Sequence, residues 1–507
     1  MSDDKEKDLI YKIAKLIKEN KELTSQVKEL TVQNDKLVND NDRLENILAK
    51  LPPDVLPKGI KANIGSTTLR FKMATVMFMD IQGFKKISEG SHTGDVIDEL
   101  DQIFFHFNDI AERFNLQRIK TIGDAYMCAG GVPIKNNTNP IDVVLAALEM
   151  GAYLNQLKEE YETQNREFWD LRIGIHTGPV TATASGKKKI SYDLKGETVN
   201  IASRMASAAD ISKINISINT YVLVSEYFVC DYHGSIPVKY EGEMEMYHVK
   251  RLKPPYSLNR KTGINPNEIF QVKYALRQFS DLQEIILDKL ERELPAYLYY
   301  HNYKHTIDVV NQAELIGYGE GVDDEAILLL KTAGLFHDAG HTISYKNHEY
   351  YGCQIAKEML PKFKYTDAQI EKICEIIMAT MLPPKPTNLL ERIICDSDLD
   401  YLGRSDFIPV SNTLYEELKA QNFLNDLNEW NKMQVKFLTG HHYFTETANR
   451  LRDVNKEKQI ERIKSIIVWT DQVKRLEFDK IIEAIQIQEN TILNANKKPE
   501  EKKEGEE

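Results

Sequence analysis

Ala74-Thr75-Val76-Met77-Phe78-Met79-Asp80-Ile81-Gln82-Gly83-Phe84 is an apolar run that ends on a carboxylate and turns at a glycine. Its β-branched and large apolar residues predict a strand. Gly83 permits a tight turn of the kind whose backbone amides approach phosphate. Further runs, Leu171-Arg-Ile-Gly-Ile-His176 and Ile214-Asn-Ile-Ser-Ile218, alternate with helical stretches at 94–114 and 140–160. The alternation predicts an α/β or α+β domain over residues 67–250. A second carboxylate, Asp124, stands beside a glycine in Lys120-Thr-Ile-Gly123-Asp124-Ala-Tyr126, read as a hairpin turn. Taken singly, each aspartate reads as a turn residue; on adjacent strands the two could hold a pair of Mg²⁺ ions between them.

Upstream, Leu9, Leu16, Leu23, Leu30, Leu37, Leu44 and Leu51 recur every seven residues. The matching a positions read Ile13, Asn20, Val27, Asn34, Asn41 and Leu48. Asparagines at such sites are best satisfied by their counterparts in a parallel, in-register pair, so residues 5–51 predict a parallel coiled-coil homodimer. The alternative is one amphipathic helix lying on its own chain, which leaves those asparagines without obvious partners. Pro52, Pro53 and Pro57 end the helix and open a linker over 52–66. Downstream, a second linker spans 251–267, and amphipathic helical patterns without strand signals fill 268–485 as an all-α domain. Residues 486–507 read as a charged tail.

Bulk properties narrow the function classes. A chain of 507 residues exceeds what one core serves. A net charge of −12 argues against a nucleic-acid partner. No apolar signal region or membrane-length apolar run is visible, and five scattered cysteines form no CxxC pair, so the expectation is a soluble, cytoplasmic protein without disulfides.

A third segment, Tyr192-Asp193-Leu-Lys-Gly196-Glu-Thr-Val-Asn200-Ile-Ala-Ser-Arg204-Met205, follows the two aspartate segments. In this order and spacing the three resemble the class III nucleotidyl cyclases. The resemblance implies a ferredoxin-like α+β domain whose two copies meet head to tail, with ATP bound at the interface. It makes Asp80 and Asp124, with Ile81, the ligands of two Mg²⁺ or Mn²⁺ ions. Gly83 and Phe84 lie against the substrate, Asn200 orients the ribose, Arg204 meets charge on the α-phosphate, and Lys239 holds the terminal phosphates. Lys120 and Asp193 resemble the base-reading positions. One donor and one acceptor suit N1 and N6 of adenine, whereas guanine reverses that polarity, so ATP is expected and GTP is the alternative. Lys85 and Lys195 depart from the residues usual in the family.

The helical region holds seven of the 12 histidines. Tyr300-His301-Asn302-Tyr-Lys-His305, Leu335-Phe-His337-Asp338-Ala-Gly-His341 and Cys395-Asp396-Ser-Asp398-Leu-Asp-Tyr-Leu-Gly403 offer a nitrogen and oxygen ligand set. They resemble the HD superfamily of metal-dependent phosphohydrolases. The resemblance implies His305, His337, Asp338 and Asp398 as ligands of one or two divalent transition metals or Mg²⁺. Asp398 is preferred to Asp396 for its spacing to Tyr401 and Asp406. His301 would donate a proton to a leaving oxygen, and His341 and His348 are candidates for a second metal. The substrate stays open between a cyclic nucleotide and another phosphoester, and a purely regulatory binding domain is the alternative. A non-catalytic scaffold is disfavoured by the apparently complete sets of residues.

Overall fold

A computed structural model of the chain describes residues 68–82, 93–122, 125–164, 166, 168–185, 191–238, 242–259, 262–424 and 426–495. The expected coiled coil (5–51) and linker (52–66), with Gly83, Phe84, Asp124, Lys239 and residues 496–507, lie outside them. Two compact units divide between Asp281 and Leu282.

The first unit is built on an eight-stranded sheet. Its opening elements are β1 (Thr68–Gln82), α1 (Thr93–Arg113), β2 (Gln117–Ile122), β3 (Ala125–Gly130), α2 (Asn139–Thr163) and β4 (Asp170–Ser185). The strands lie in the order β2-β3-β1-β4 with every neighbour antiparallel, which is the split βαβ arrangement of ferredoxin-like folds. β5 (Ser191–Lys195) pairs with the far half of β4. β6 (Lys213–Ser217) runs parallel to β4 and continues the sheet through β8 (Gly242–Leu252) to β7 (Phe228–Val238). Helices α3 (Glu197–Ser207) and α4 (Ile218–Val224) flank β6 in sequence.

The continuous apolar run of β1 follows from burial on both sheet faces. Met77, Met79 and Ile81 pack in a core with Ile103 and Phe107 of α1 and Val144 of α2. Val76 and Phe78, of opposite parity, pack with Ala202 and Ala206 of α3. Asp80 shares the parity of Val76 and Phe78 and therefore the face that carries α3. It is paired with Ala125, the residue after Asp124.

α5 (Glu268–Glu293) crosses the division between units. The all-α domain is expected from 268, and the first half of α5 belongs to the sheet unit. Phe270 enters its core, the Tyr274 hydroxyl donates to Asp142 at 2.7 Å, and Asp281 accepts the Asn137 amide at 2.9 Å.

The second unit continues through α6 (Tyr303–Gly319), α7 (Asp324–Phe336), α8 (His348–Met359), α9 (Asp367–Met378), α10 (Leu389–Asp398), α11 (Phe407–Ala420), α12 (Leu427–Gly440) and α13 (Glu446–Ala495). α7 is its centre. Ile327 to Leu330, Ala333, Leu335 and Phe336 are all buried, beneath α6, α9 and α10. α13 extends to Ala495, past the expected start of a charged tail at 486, because Gln486–Ala495 contains neither proline nor glycine to stop it. No helix among the described residues is long and apolar enough to cross a membrane.

Candidate functional site

In the helical unit, four expected ligands converge. His305 stands in the first turn of α6, whose N-cap Asn302 accepts the Lys304 amide. His337 caps the C-terminus of α7, Asp338 follows it, and Asp398 is the last residue of α10. His305 Nε2 is 3.0 Å from Asp398 Oδ1 and 3.5 Å from Asp338 Oδ2. His337 Nε2 is 3.2 Å from Asp338 Oδ2, 3.5 Å from Asp398 Oδ1 and 3.4 Å from His305 Nε2.

A cation about 2.0–2.2 Å from each of four ligands in a tetrahedral site spaces those ligands roughly 3.3–3.6 Å apart. Three of the five distances fall in that range, and the His305–Asp398 and His337–Asp338 pairs, at 3.0 and 3.2 Å, are slightly shorter. His337 Nδ1–H donates to the Gly334 carbonyl at 2.8 Å, which leaves its Nε2 lone pair facing the carboxylates. Asp338 Oδ2 is buried without a hydrogen bond. Lone pairs crowded in this way need a positive charge among them. Without a metal, a proton serves: burial would lower the His337 pKa, but Asp338 and then Asp398 outweigh burial and hold it well above the ordinary value. Burial would likewise raise Asp338, but His337 holds it well below the usual carboxylate range.

Asp396 is not in the cluster. Its carboxylate accepts the amides of Phe444 and Thr445 and the Thr445 hydroxyl, tying α10 to the start of α13. A second group forms on the other side of Asp338, whose Oδ1 is 3.8 Å from His341 Nε2 and 3.5 Å from His348 Nε2. Burial lowers the His341 pKa to about 3, with Asp338 opposing. The 3₁₀ turn Ala339–Thr342 reaches α8 only because residue 340 is glycine, since a Cβ there would stand 1.9 Å from the His348 carbonyl oxygen.

His301 Nδ1 donates to Glu417 Oε1 at 2.5 Å, and Glu417 Oε2 accepts the Tyr300 and His301 amides at 2.9 and 3.1 Å. Burial would lower the His301 pKa, but Glu417 and then Asp338 hold it above its ordinary value.

In the sheet unit, Lys120 of β2 and Asp193 of β5 meet, Nζ to Oδ1 at 2.9 Å, with their side chains 44 % and 47 % exposed. Asn200 and Arg204 stand one turn apart on α3, and Arg204 Nη1 donates to the Pro237 carbonyl of β7 at 3.1 Å. α3 lies directly on β4 because residue 174 is glycine: a Cβ there would stand 1.8 Å from the Ala206 amide nitrogen. Gln82 Nε2 donates to Asp80 Oδ2 at 3.0 Å, and Ile81 is buried. Asp124, Lys239, Gly83 and Phe84 lie outside the described residues.

Residues 67–251 match the family model of the adenylate and guanylate cyclase catalytic domain, and residues 302–400 match that of the HD domain. The chain carries a class III cyclase catalytic domain and an HD domain.

The cyclase domain is 30% identical over 200 residues to an adenylate cyclase of Mycobacterium tuberculosis, a match covering 39% of this chain and 42% of that protein. It is 32% identical over 207 residues to human guanylyl cyclase C, covering 40% of this chain and 19% of that protein. The chain thus spans less than half the length of either curated relative. Among solved structures, the guanylate cyclase domain of RhGC from Catenaria anguillulae in complex with GTP is 33% identical, with a TM-score of 0.34, over 36% of this chain and 100% of that one.

Sequence reasoning missed Glu417 in the HD unit. Glu417 is buried in α11 with Phe407, Ser411 and Tyr415, and no apolar periodicity in the sequence marks it. In the cyclase domain it missed Gly174, visible only as a lone glycine in a strand run.

Proposed function

We propose that the chain is an adenylyl cyclase that converts ATP to cyclic AMP and pyrophosphate at a site shared by two copies, and that its HD domain hydrolyses a phosphoester. The observation that carries the choice of ATP is the adjacent donor and acceptor, Lys120 and Asp193. An ammonium donating to N1 and a carboxylate accepting from the N6 amino group read adenine, whereas guanine would set like groups against each other. Asp80, with Asp124, would hold two Mg²⁺ or Mn²⁺ ions, which supply charge neutralisation at the phosphates and acidify the ribose 3′-hydroxyl. Asn200 orients the ribose, Arg204 meets charge growing on the α-phosphate and Lys239 binds the terminal phosphates. The leucine repeat from Leu9 to Leu51, which lies outside the described residues, supports pairing of two copies from the sequence alone.

In the HD domain, His305, His337, Asp338 and Asp398 would hold a divalent metal, which supplies Lewis acidity and an acidified water. The spacing and buried lone pairs of the four residues support this reading. His301, whose pKa Glu417 raises against the effect of burial, delivers a proton to the leaving oxygen.

The test of the base reading is the exchange Lys120→Glu with Asp193→Lys. Turnover of ATP should fall at least tenfold relative to GTP, on the order of the penalty for one mispaired buried polar group. An unchanged ATP to GTP ratio in a folded, dimeric variant would contradict it.

A further inference from the structure

A second cluster of metal-ligating side chains lies in the cyclase unit. Asp210, in the turn after α3, is approached by the Nδ1 atoms of His233 on β7 and His248 on β8, each 4.0 Å from Asp210 Oδ2. One ligand atom from each residue falls within 4.8 Å of those of the other two.

Two features suit these residues to a cation. At 4.0 Å the contacts are too long for hydrogen bonds. Ligands about 2.0–2.2 Å from a shared ion lie roughly 3.3–4.2 Å apart, according to the angle at the metal. The His233 tautomer is set by its surroundings: Nε2–H donates to the Ala208 carbonyl at 3.3 Å, which leaves the Nδ1 lone pair towards Asp210. A ligating imidazole commonly anchors its other nitrogen on a carbonyl in this way. The two rings are stacked at 3.7 Å, 25° from parallel, so a shared ion requires one ring to tilt towards it; they lie beside an irregularity in the β7–β8 register between Tyr232 and Gly234. Bulges of this kind re-aim side chains, and here Gly234 takes a φ of 104°.

Access and burial are graded as at a metal site with an open position. The side chain of His248 is 12 % exposed, that of His233 25 % and that of Asp210 65 %. Asp231, opposite His248 in the β7–β8 register, is held by the Lys250 ammonium and does not compete for the imidazoles.

We infer that Asp210, His233 and His248 form a binding site for one divalent transition metal of the Zn²⁺ type. Two imidazoles and one carboxylate favour such ions over Mg²⁺, which prefers an all-oxygen shell. The ion joins the turn after α3 to β7 and β8. It thereby clamps the C-terminal end of the helix that carries Asn200 and Arg204, whose cap residue Ala208 already accepts from His233. The site is separate from the residues assigned to nucleotide and from the HD ligands.

The full chain, stripped of metal by chelation, is titrated with Co²⁺ in excess Mg²⁺, and bound equivalents and visible ligand-field absorption are followed. Asp210→Asn and His233→Gln are titrated alongside, with the HD ligands intact in all three proteins. The expected result is one equivalent fewer in each variant, with loss of the matching part of the spectrum and of the Zn²⁺-dependent rise in melting temperature of the cyclase unit. Because Asp210 is mostly exposed and asparagine has its shape, Asp210→Asn decides the matter even where His233→Gln disturbs the strand. Equal stoichiometry and equal spectra in wild type and Asp210→Asn would overturn the inference.

Discussion

The HD cluster and the cyclase candidates, both proposed to hold metal and phosphate, are built in opposite ways. In the HD unit one chain supplies every group, from three helix ends and a turn. The candidate ligand atoms lie 3.0–3.5 Å apart and nearly closed to solvent, and the ionisation of His337 and Asp338 is shifted by their mutual contact. In the cyclase unit the described candidates are set apart along the sheet. Asp80 is at the end of β1, Lys120 and Asp193 lie together on β2 and β5, and Arg204 projects from α3 to the carbonyl of Pro237. Lys120 and Asp193 stay about half exposed. An enclosed cluster is self-sufficient, whereas an open set of the second kind suits the proposed site completed by another copy.

The largest effect that would break this comparison is complementation. Asp80→Ala and Arg204→Ala should each cut cyclase activity by roughly 10²–10³-fold, the scale of losing one group that stabilises transition-state charge. Mixing the two inactive proteins should restore part of the activity, because a proposed site that takes its metal residues from one copy and Arg204 from the other leaves one of the two sites in the mixed dimer with neither lesion. His305→Ala mixed with Asp398→Ala should restore no hydrolysis. Complementation in the HD pair, or none in the cyclase pair under conditions of subunit exchange, would invert the contrast.

A smaller effect sharpens the HD side. Glu417→Gln removes the carboxylate that raises the His301 pKa against burial, so the His301 pKa falls. A proton donor with a lowered pKa loses its proton at lower pH, so the alkaline limb of hydrolysis should move down. The rate above neutrality should drop about tenfold for each pH unit that the limb travels. A uniform loss at all pH values with no movement of the limb would reduce Glu417 to a packing role.

The smallest effect belongs to the cyclase core. Buried His176, whose Nδ1 lies 2.6 Å from the Ser217 hydroxyl, has its pKa lowered by burial to about 4. The unfolded chain takes up a proton near pH 6.5 that the folded one refuses. The cyclase unit should therefore lose stability as pH falls from about 6.5 towards 4. His176→Gln should flatten that part of the melting-temperature profile, and an unchanged profile would show that other groups govern it.

Much of this was legible in the sequence, and the physical reason is locality. The strand runs at 74–79 and 171–176 read correctly because both faces of the sheet are buried, so apolar residues are continuous. The HD candidates were legible as a group because they sit at helix ends, where short motifs keep histidine and aspartate together. Asp398 was separable from Asp396 by spacing, and the structure brings only Asp398 to the histidines. What escaped was non-local. Glu417 reaches His301 across 116 positions, and the stacking of His233 on His248 depends on strand register that no local pattern encodes. The first half of the helix that opens at 268 packs in the first unit, a long-range contact that the proline and glycine-containing linker before it does not signal.

The most direct measurement is turnover of ATP and of GTP by the purified full-length protein with Mg²⁺ or Mn²⁺, following cyclic product over time beside a His337→Ala, Asp338→Ala variant that leaves the cyclase unit intact. The account predicts cyclic AMP from ATP in both proteins, at a rate well above that of cyclic GMP from GTP. Preferential formation of cyclic GMP, or no cyclic product from either nucleotide by a dimeric preparation, would contradict it.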